Sequence, residues 1–446
     1  MPDKNPDAQP TAVIEKAIQD GNYAANGVSF GKFKIKVVPA SNFSAIWWTE
    51  GILLRNAPPP RGNPICFYKY TGNTAPFLPL GDVVTVESVE AWDKRPAQPW
   101  PLPGGGVMLF APGDDKPDIF AHPTGFTFLL NDAGSHNSHD VAYFRMNPPP
   151  GYEALGVCFT NGEQPNPDNY WCVKRKYLQI VGSQSLWSDR DAHWMDANGS
   201  LHAPSLDRAS DPLPIPDPLS DEIYILPPTC LSEQDLDNER AYALIGEQAM
   251  LPILPFDPPD PPYDPKIVSG AKTTYGLGQV AIVPYTAIPA DATYGEQAIT
   301  SPFYFIASEP YWECTRTLST PKGGMMEVAI TIGVQEMQAS SFTKSTSMTI
   351  GCEVGAKFGG LSAKVTTSFT QAFSLTTSQS ETHSSSTTIR TMVNFPEQPI
   401  TWIWDRQTQV AVFRNDQSQV SIADYGNRDQ RFIPSGAVVL GRLVKD

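Results

Sequence analysis

The stretch MTIGCEVGAKFGGLSAKVTTSF, residues 348–369, decides how this chain is read. From Met348 the even positions are Met348, Ile350, Cys352, Val354, Ala356 and Phe358, and the odd ones are Thr349, Gly351, Glu353, Gly355 and Lys357. A two-residue period places the two sets on opposite faces of a β-strand. Gly359-Gly360 follows, a pair free to take the positive φ angles of a two-residue hairpin turn. Beyond it the parity flips, so that Leu361, Ala363, Val365, Phe369, Phe373 and Leu375 are odd, with Ser362, Lys364, Thr366, Ser368 and Thr370 between them. A two-residue loop requires that flip. It sets Phe358 opposite Leu361, Ala356 opposite Ala363, Val354 opposite Val365 and Ile350 opposite Phe369, and cross-strand partners share a face.

The result is a hairpin with one apolar and one hydrophilic face, and each arm has about 11 residues, enough to cross a bilayer core when tilted. One hairpin alone in lipid leaves backbone groups unpaired, whereas several copies closing into a barrel satisfy them, with lipid outside and water inside. On this reading Met348, Ile350, Cys352, Val354, Ala356, Phe358, Leu361, Ala363, Val365 and Phe369 face lipid. Glu353, Lys357, Lys364, Thr366 and Ser368 face the lumen, and Gly359 and Gly360 form the tip. Of the 55 residues from 337 to 391, 24 are Ser or Thr, so the flanks 338–347 and 376–391 are expected to carry the barrel beyond the bilayer or line its lumen. The alternative is an ordinary β-sandwich hairpin that turns its apolar face to a core.

The rest of the chain sets the frame. At 446 residues it is long enough for two or three domains. Its 44 prolines, 33 glycines and 18% charged residues favour short strands and turns over long helices, so an all-β fold is expected. With 47 acidic against 32 basic side chains, the formal charge of -15 argues against nucleic acid as a partner. The amino terminus lacks a secretory pattern and no apolar run approaches the ~18 residues of a membrane helix. The chain is therefore expected to be made soluble, to leave its cell by a non-classical route or lysis, and to act at a target-cell plasma membrane. Six cysteines show no C-x-x-C spacing; Cys158 and Cys172 would bridge only in oxidising surroundings, and the reduced form is favoured.

Helical patterns are read at TAVIEKAIQDG (11–21) and SEQDLDNERAYALIGEQAM (232–250), the second opened by a capping-box-like Ser232 and Asp235. LPILPFDPPDPPYDP (251–265) reads as a semi-rigid linker. The expected organisation is an N-terminal extension (1–25), a β domain (26–230), a short helix with proline-rich linker (231–265), and a second β domain (266–446) carrying the hairpin region at about 338–391. In the first domain CFYKYTGNTAPFLPLGDVV (66–84) and YFRMNPPPGYEALGVCF (143–159) look like two copies of a strand, proline turn and Leu-Gly unit. Trp187-Ser-Asp and the turn from Asn131 to Ser135 look like a second repeated turn, which suggests a β-prism-like domain of repeated sheets.

Two resemblances follow. The run NPPPGYEALGVCFTNGEQPNPDNYWCVKRKYL (147–178), with SFGKFKIKV (29–37) and LWSDRDAHW (186–194), resembles the domain named for vacuolar protein sorting protein 62, although that family's Gly-Ser-Gly turn is Gly134-Ser135-His136 here. SPFYFIASEPYWECTRTL, EVAITIGVQEM, the Ser/Thr hairpin and ITWIWDRQTQVAVFRND together resemble the aerolysin-like pore-forming toxins, the group that includes epsilon-toxin and mosquitocidal-toxin relatives. That resemblance implies an elongated β-sheet domain in a soluble monomer, which binds a protein or glycan receptor, forms a homo-oligomeric ring and inserts one hairpin per subunit. The pairing of the two modules implies an insecticidal or defensive protein. A non-lytic, lectin-like binding protein is the competing function.

Chemistry is sparse. No G-x-S-x-G, H-E-x-x-H or P-loop occurs, and Gly104-Gly105-Gly106 lacks the lysine and helix of a phosphate cradle, so no enzyme and no cofactor are expected. His136, His139, Asp140 and His193 match no standard zinc spacing, and no metal is expected. Trp47-Trp48 is a candidate surface-binding pair, because adjacent strand residues face opposite ways and one ring is then open to a sugar or lipid.

Overall fold

A computed structural model describes residues 26–49, 63–86, 106–133, 137–189, 198–205, 222–235, 241–247, 249–251, 259–261, 266–273, 278–288, 290–291, 301–346, 386–395 and 397–435, with single residues 102, 135, 264 and 348. The fold is mainly antiparallel β, the class that the proline and glycine content implied. The predicted helix at 11–21 lies outside the described residues.

In the front region three groups of strands share one plan. Phe43–Trp48, Ile65–Tyr70 and Val83–Val86 pair in that order. Gly125–Asn131, Ala142–Asn147 and Val157–Thr160 repeat it, and so do Leu178–Trp187, Leu201–Ser205 and Leu231–Ser232. Their inner faces meet in one core containing Trp47, Phe67, Tyr143, Phe159, Trp187 and Leu201. The similar stretches 66–84 and 143–159 supply the middle and third strands of the first two groups.

Their shared Leu-Gly step has a steric cause. The third strands enter side by side, with the Asp82 N–H donating to the Val157 carbonyl at 2.9 Å and the Val157 N–H to the Cys230 carbonyl at 3.0 Å. A Cβ on Gly81 would lie 3.0 Å from the Gly156 Cα, and one on Gly156 would lie 2.7 Å from the Thr229 Cβ. Backbone approaches backbone too closely there for two side chains. The third copy uses Thr229 and Cys230, which is why it does not read as a repeat in the sequence.

The segment 232–250 departs from its predicted helix. Glu233–Asp235 is a single 3-10 turn, Ala241–Glu247 is a strand between Leu178–Trp187 and Glu222–Ile225, and Ala249–Leu251 is a further strand. Ala241, Ala243 and Leu244 are buried, and Gly246 packs under Phe33, so the two-sided burial of a central strand overrides the capping-box signal.

The back region is one long antiparallel sheet. Its central strand, Phe303–Thr320, pairs on one side with Gln279–Pro284 and Lys272–Thr273 and on the other with Gln398–Arg414, whose far side carries the edge strand Gln419–Pro434. Trp312, Cys314, Trp402, Trp404 and Ile433 pack on one face. A single apolar core runs from this sheet into the front region, where Phe30 stacks on Phe303 with ring centroids 5.6 Å apart. Within the proline-rich stretch 251–265, the Pro259 carbonyl accepts from the Trp312 indole N–H at 2.9 Å and Asp260 pairs with Arg431 at 2.6 Å.

Cys158 and Cys172 are free buried thiols, and burial pushes Cys172 up to about 12. Beside them Asp82 accepts from the Phe159 N–H at 2.7 Å and the Tyr170 hydroxyl at 3.0 Å, yet complete burial pushes its carboxyl up to about 7. Folded Asp82 thus holds a proton that the unfolded chain releases near 4, and stability must fall as pH rises from about 4 to about 7. Asp405, raised to about 6 chiefly by burial, adds a contribution of the same sign. Urea midpoints are expected to drop across that window. Asp82→Asn, which keeps an acceptor for the Phe159 N–H, should remove up to about 4 kcal/mol of the pH dependence and leave the Asp405 share.

Candidate membrane-insertion element

Gly324–Ile332 and Thr387–Phe395 form a two-stranded ribbon, paired without a bulge from Gly324 opposite Phe395 to Ile332 opposite Thr387. β-Branched and apolar residues explain it. Met326, Val328, Ile330 and Ile332 alternate with Met325, Glu327, Ala329 and Thr331. On the partner strand Ile389, Val393 and Phe395 share the inner face. Val328 and Phe395 are buried against Leu318, Ile403 and Phe432, with the Phe395 and Phe432 rings edge to face at 5.4 Å. The outer face is open: Met325 is 59% and Met392 54% exposed, and Arg390 pairs with Glu327 across the ribbon at 2.9 Å.

Among the described residues the ribbon joins the backbone of the large sheet at one β-bridge. Gly333, at φ 94°, and Gly426 exchange two backbone hydrogen bonds of 2.9 and 3.0 Å. Gly426 has no alternative there, because a Cβ would sit 2.2 Å from the Thr331 carbonyl oxygen. Beyond Gly333 the chain turns into the α-helix Glu336–Thr346. The sequence reading assigned 338–347 a place in the inserted barrel and did not foresee a helix here. The helix has Glu336 in its first turn and Lys344 in its last, charges that suit its dipole. It lies along the edge strand Gln419–Pro434, with Phe342 fully buried and Ala339 packed beside it. Five of its 11 residues are Ser or Thr, each about 0.5 kcal/mol poorer than Ala in a helix, so packing rather than propensity sustains it.

Met348 follows, fully buried in the main core, its N–H donating to the Thr346 hydroxyl at 3.1 Å. The other hairpin positions, namely Ile350, Cys352, Glu353, Val354, Ala356, Lys357, Phe358, Gly359, Gly360, Leu361, Ala363, Lys364, Val365, Thr366, Ser368 and Phe369, lie outside the described residues. Between Ile332 and the Gly359-Gly360 pair lie 26 residues (333–358), and between that pair and Thr387 lie another 26 (361–386). Parity agrees as well: the ribbon's inner face is even before the turn and odd after it, as is the apolar face of 348–369. Sequence reasoning stopped at residue 348 and missed the ribbon as part of the same pattern, although the alternation in MEVAITI carried the signal.

The tryptophan pair needs correcting. Trp47 is fully buried, and its indole N–H donates to Asp132 at 2.8 Å. Trp48 is half-buried against the neighbouring core, with its ring 4.1 Å from that of His139. The two do face opposite ways, but both faces of their sheet are covered by cores, so Trp47 is no surface ligand. No group of three His, Cys, Asp or Glu among the described residues is placed to hold a metal; His136 and His193 lie outside them. Among the described residues no helix is long and apolar enough to cross a membrane, a statement that leaves strands aside.

No protein-family model matches the chain, and no curated protein matches it. Among solved structures, GNIP1Aa from Chromobacterium piscinae is similar at 18% identity with a TM-score of 0.29, over 44% of this chain and 34% of GNIP1Aa. This chain therefore matches only about a third of that protein's length. Cry35Ab1 is similar at 12% identity with a TM-score of 0.31, over 70% of this chain and 89% of Cry35Ab1. Those scores are too low to bear on activity.

The ribbon's anchorage can be dissected by mutation. Phe395→Ala should cost about 3–5 kcal/mol in denaturant unfolding, since it empties the packing site against Phe432. Arg390→Gln, which removes an ion pair between two exposed side chains, should change stability by less than about 1 kcal/mol.

Proposed function

We propose that this chain is a pore-forming toxin of the aerolysin-like type. The soluble chain binds a target-cell surface through its front β region, assembles with further copies on the membrane, and contributes one β-hairpin per copy to a transmembrane barrel. The observation that carries the reading is the ribbon's register. Stepped inward one residue at a time on both strands, it reaches Phe358 opposite Leu361 with Gly359-Gly360 between them, the pairing that parity alone assigned. Two independent patterns thus support one hairpin running from 324 to 395, apolar on a single face at its tip.

The stretch between the ribbon and the tip, 336–346 with 373–383, is mostly polar and rich in Ser and Thr, with Met337, Phe342, Phe373 and Leu375 as its large apolar side chains. At the tip Glu353, Lys357 and Lys364 give the water-filled side one net positive charge per copy. An insecticidal or defensive target follows from the resemblance of the paired modules and belongs to the same proposal. No catalytic group or cofactor enters it.

The test is leakage of a trapped dye from vesicles or cells. Val354→Arg and Val365→Arg should abolish leakage while surface binding and the circular dichroism spectrum stay normal, because an arginine facing lipid at mid-depth costs ~2–4 kcal/mol in every copy of the ring. Lys364→Arg, on the watery face, should leak like the parent. A well-folded Val354→Arg protein with full leakage removes the hairpin from the pore. Single cysteines along 348–358 bearing a polarity-sensitive dye should report lipid at even positions and water at odd ones; an equal signal at both parities contradicts the barrel.

A further inference from the structure

We propose that Trp48, Asn137 and His139 form a binding site for a neutral pyranose, and that a sugar of this class on the target cell is what the front region holds. The inference deepens the pore-forming reading and rests on it for the site's place in the protein's action. Sugar binding itself is testable apart from any pore.

A buried carboxylate builds the site. Asp132, just past the strand Gly125–Asn131, accepts from the Trp47 indole at 2.8 Å, the Ser135 hydroxyl at 2.9 Å and the Val141 N–H at 2.9 Å, which pins the turn 132–141 against the strand Phe43–Trp48. The Ser135 hydroxyl in turn accepts from the Asn137 N–H at 3.2 Å, and the Asn137 side-chain amide donates at 3.0 Å to the Trp48 carbonyl. Asn137 is thereby held with its side-chain nitrogen on the Trp48 backbone and its side-chain oxygen turned away from that carbonyl. The strand Leu178–Trp187 runs from the main core at Val181 to the front core at Trp187, where Trp47 also packs. The site therefore lies at the end of the front region away from the long sheet.

The Asn137 side-chain oxygen finds no hydrogen-bond partner among the described residues, and neither does the Trp48 indole N–H, although both atoms are shut off from water. Buried polar atoms are nearly always paired, so an acceptor and a donor left open on two residues bonded to each other mark a place where a ligand supplies the partners. Trp47, one residue away, has its indole N–H paired with Asp132. The Trp48 ring packs against the core that contains Phe43 and Tyr68, and the exposed His139 ring lies 4.1 Å from it, with the His139 Nδ1 2.9 Å from the Ser138 hydroxyl. An exposed imidazole turns outward into water readily. The apolar face of a pyranose then takes its place on the indole, one sugar hydroxyl accepts from the Trp48 N–H, and another donates to the Asn137 oxygen. An aromatic platform with a few placed polar atoms is how small-ligand sites fix orientation. Asp140 is exposed beside His139 and the chain carries a formal charge of -15, so a sialylated or sulfated sugar is repelled.

The experiment uses the full chain, isotope-labelled at its indole nitrogens. Methyl glycosides of glucose, galactose, mannose, N-acetylglucosamine and N-acetylgalactosamine are titrated in, and the protein is applied to an array of neutral, sialylated and sulfated glycans. At least one neutral glycoside should shift the Trp48 indole resonance, identified by its loss in Trp48→Phe. Trp48→Phe keeps a ring for stacking but has no N–H, and should bind that sugar about ten-fold more weakly. His139→Ala clears the indole and should bind it about three-fold more tightly, because the open form no longer competes with the stacked one. A purely structural stack gives no such tightening. Circular dichroism checks that each variant is folded; if Trp48→Phe is not, the tightening in His139→Ala decides alone. Absence of binding to every neutral sugar, array binding confined to sialylated or sulfated glycans, or affinity unchanged in either folded variant overturns the proposal. If the parent releases dye from vesicles or cells without binding a neutral sugar, the sugar site fails and the pore reading stands. If it binds sugar at Trp48 yet releases no dye from any cell that displays that sugar, the pore reading fails and the site is that of a non-lytic binding protein.

Discussion

The double backbone hydrogen bond between Gly333 and Gly426 is the constraint on which the back region turns. On one side of it the chain is a strand in register with Thr387–Phe395; on the other it is a helix lying along a sheet edge. Neither residue tolerates replacement easily. Gly333 holds a positive φ, and Gly426 lies under the Thr331 carbonyl with no room for a Cβ. The ribbon, the helix and the edge strand are thereby fixed relative to one another by backbone, with Phe342 and Phe395 supplying apolar burial on either side.

The front region obeys a different constraint of the same kind. Three strand groups converge, and the chain must pass close to itself where the third strands enter. Gly81 and Gly156 meet that demand by lacking side chains, while Thr229 meets it by turning its hydroxyl to the Leu155 carbonyl at 2.8 Å. Asp82 is buried beside this point, where the Phe159 amide of the neighbouring strand Val157–Thr160 and the Tyr170 hydroxyl donate to it.

Legibility in the sequence followed local period. The all-β class and two of the three front repeats could be read because glycine placement and two-residue alternation are local signals. What failed was non-local. A Ser232/Asp235 pattern suggested a helix where Ala241–Glu247 is buried on both sides between strands that arrive from residues 178 and 222. The helix over 336–346 went unread because its Ser/Thr-rich sequence favours no helix, and Phe342 holds it through a core contributed by distant strands. Trp47 suggested a surface ring because nothing near it in sequence announces the Asp132 that receives its N–H.

The bulge-free ribbon also bears on how fast and how faithfully a long hairpin can form. Bringing the ends of a 54-residue segment, 333–386, together has a length-dependent entropic cost of about 3–4 kcal/mol, and the folded ribbon has already met it. In the proposed hairpin each further pair would close a loop two residues shorter than the last, so growth would run as a zipper from the ribbon toward the tip, with no search for alignment. A slip of one residue would turn every tip side chain to the wrong face, and the ribbon makes that error sterically remote. The ribbon would in this sense be the nucleus of the proposed hairpin as much as it is a part of the resting fold.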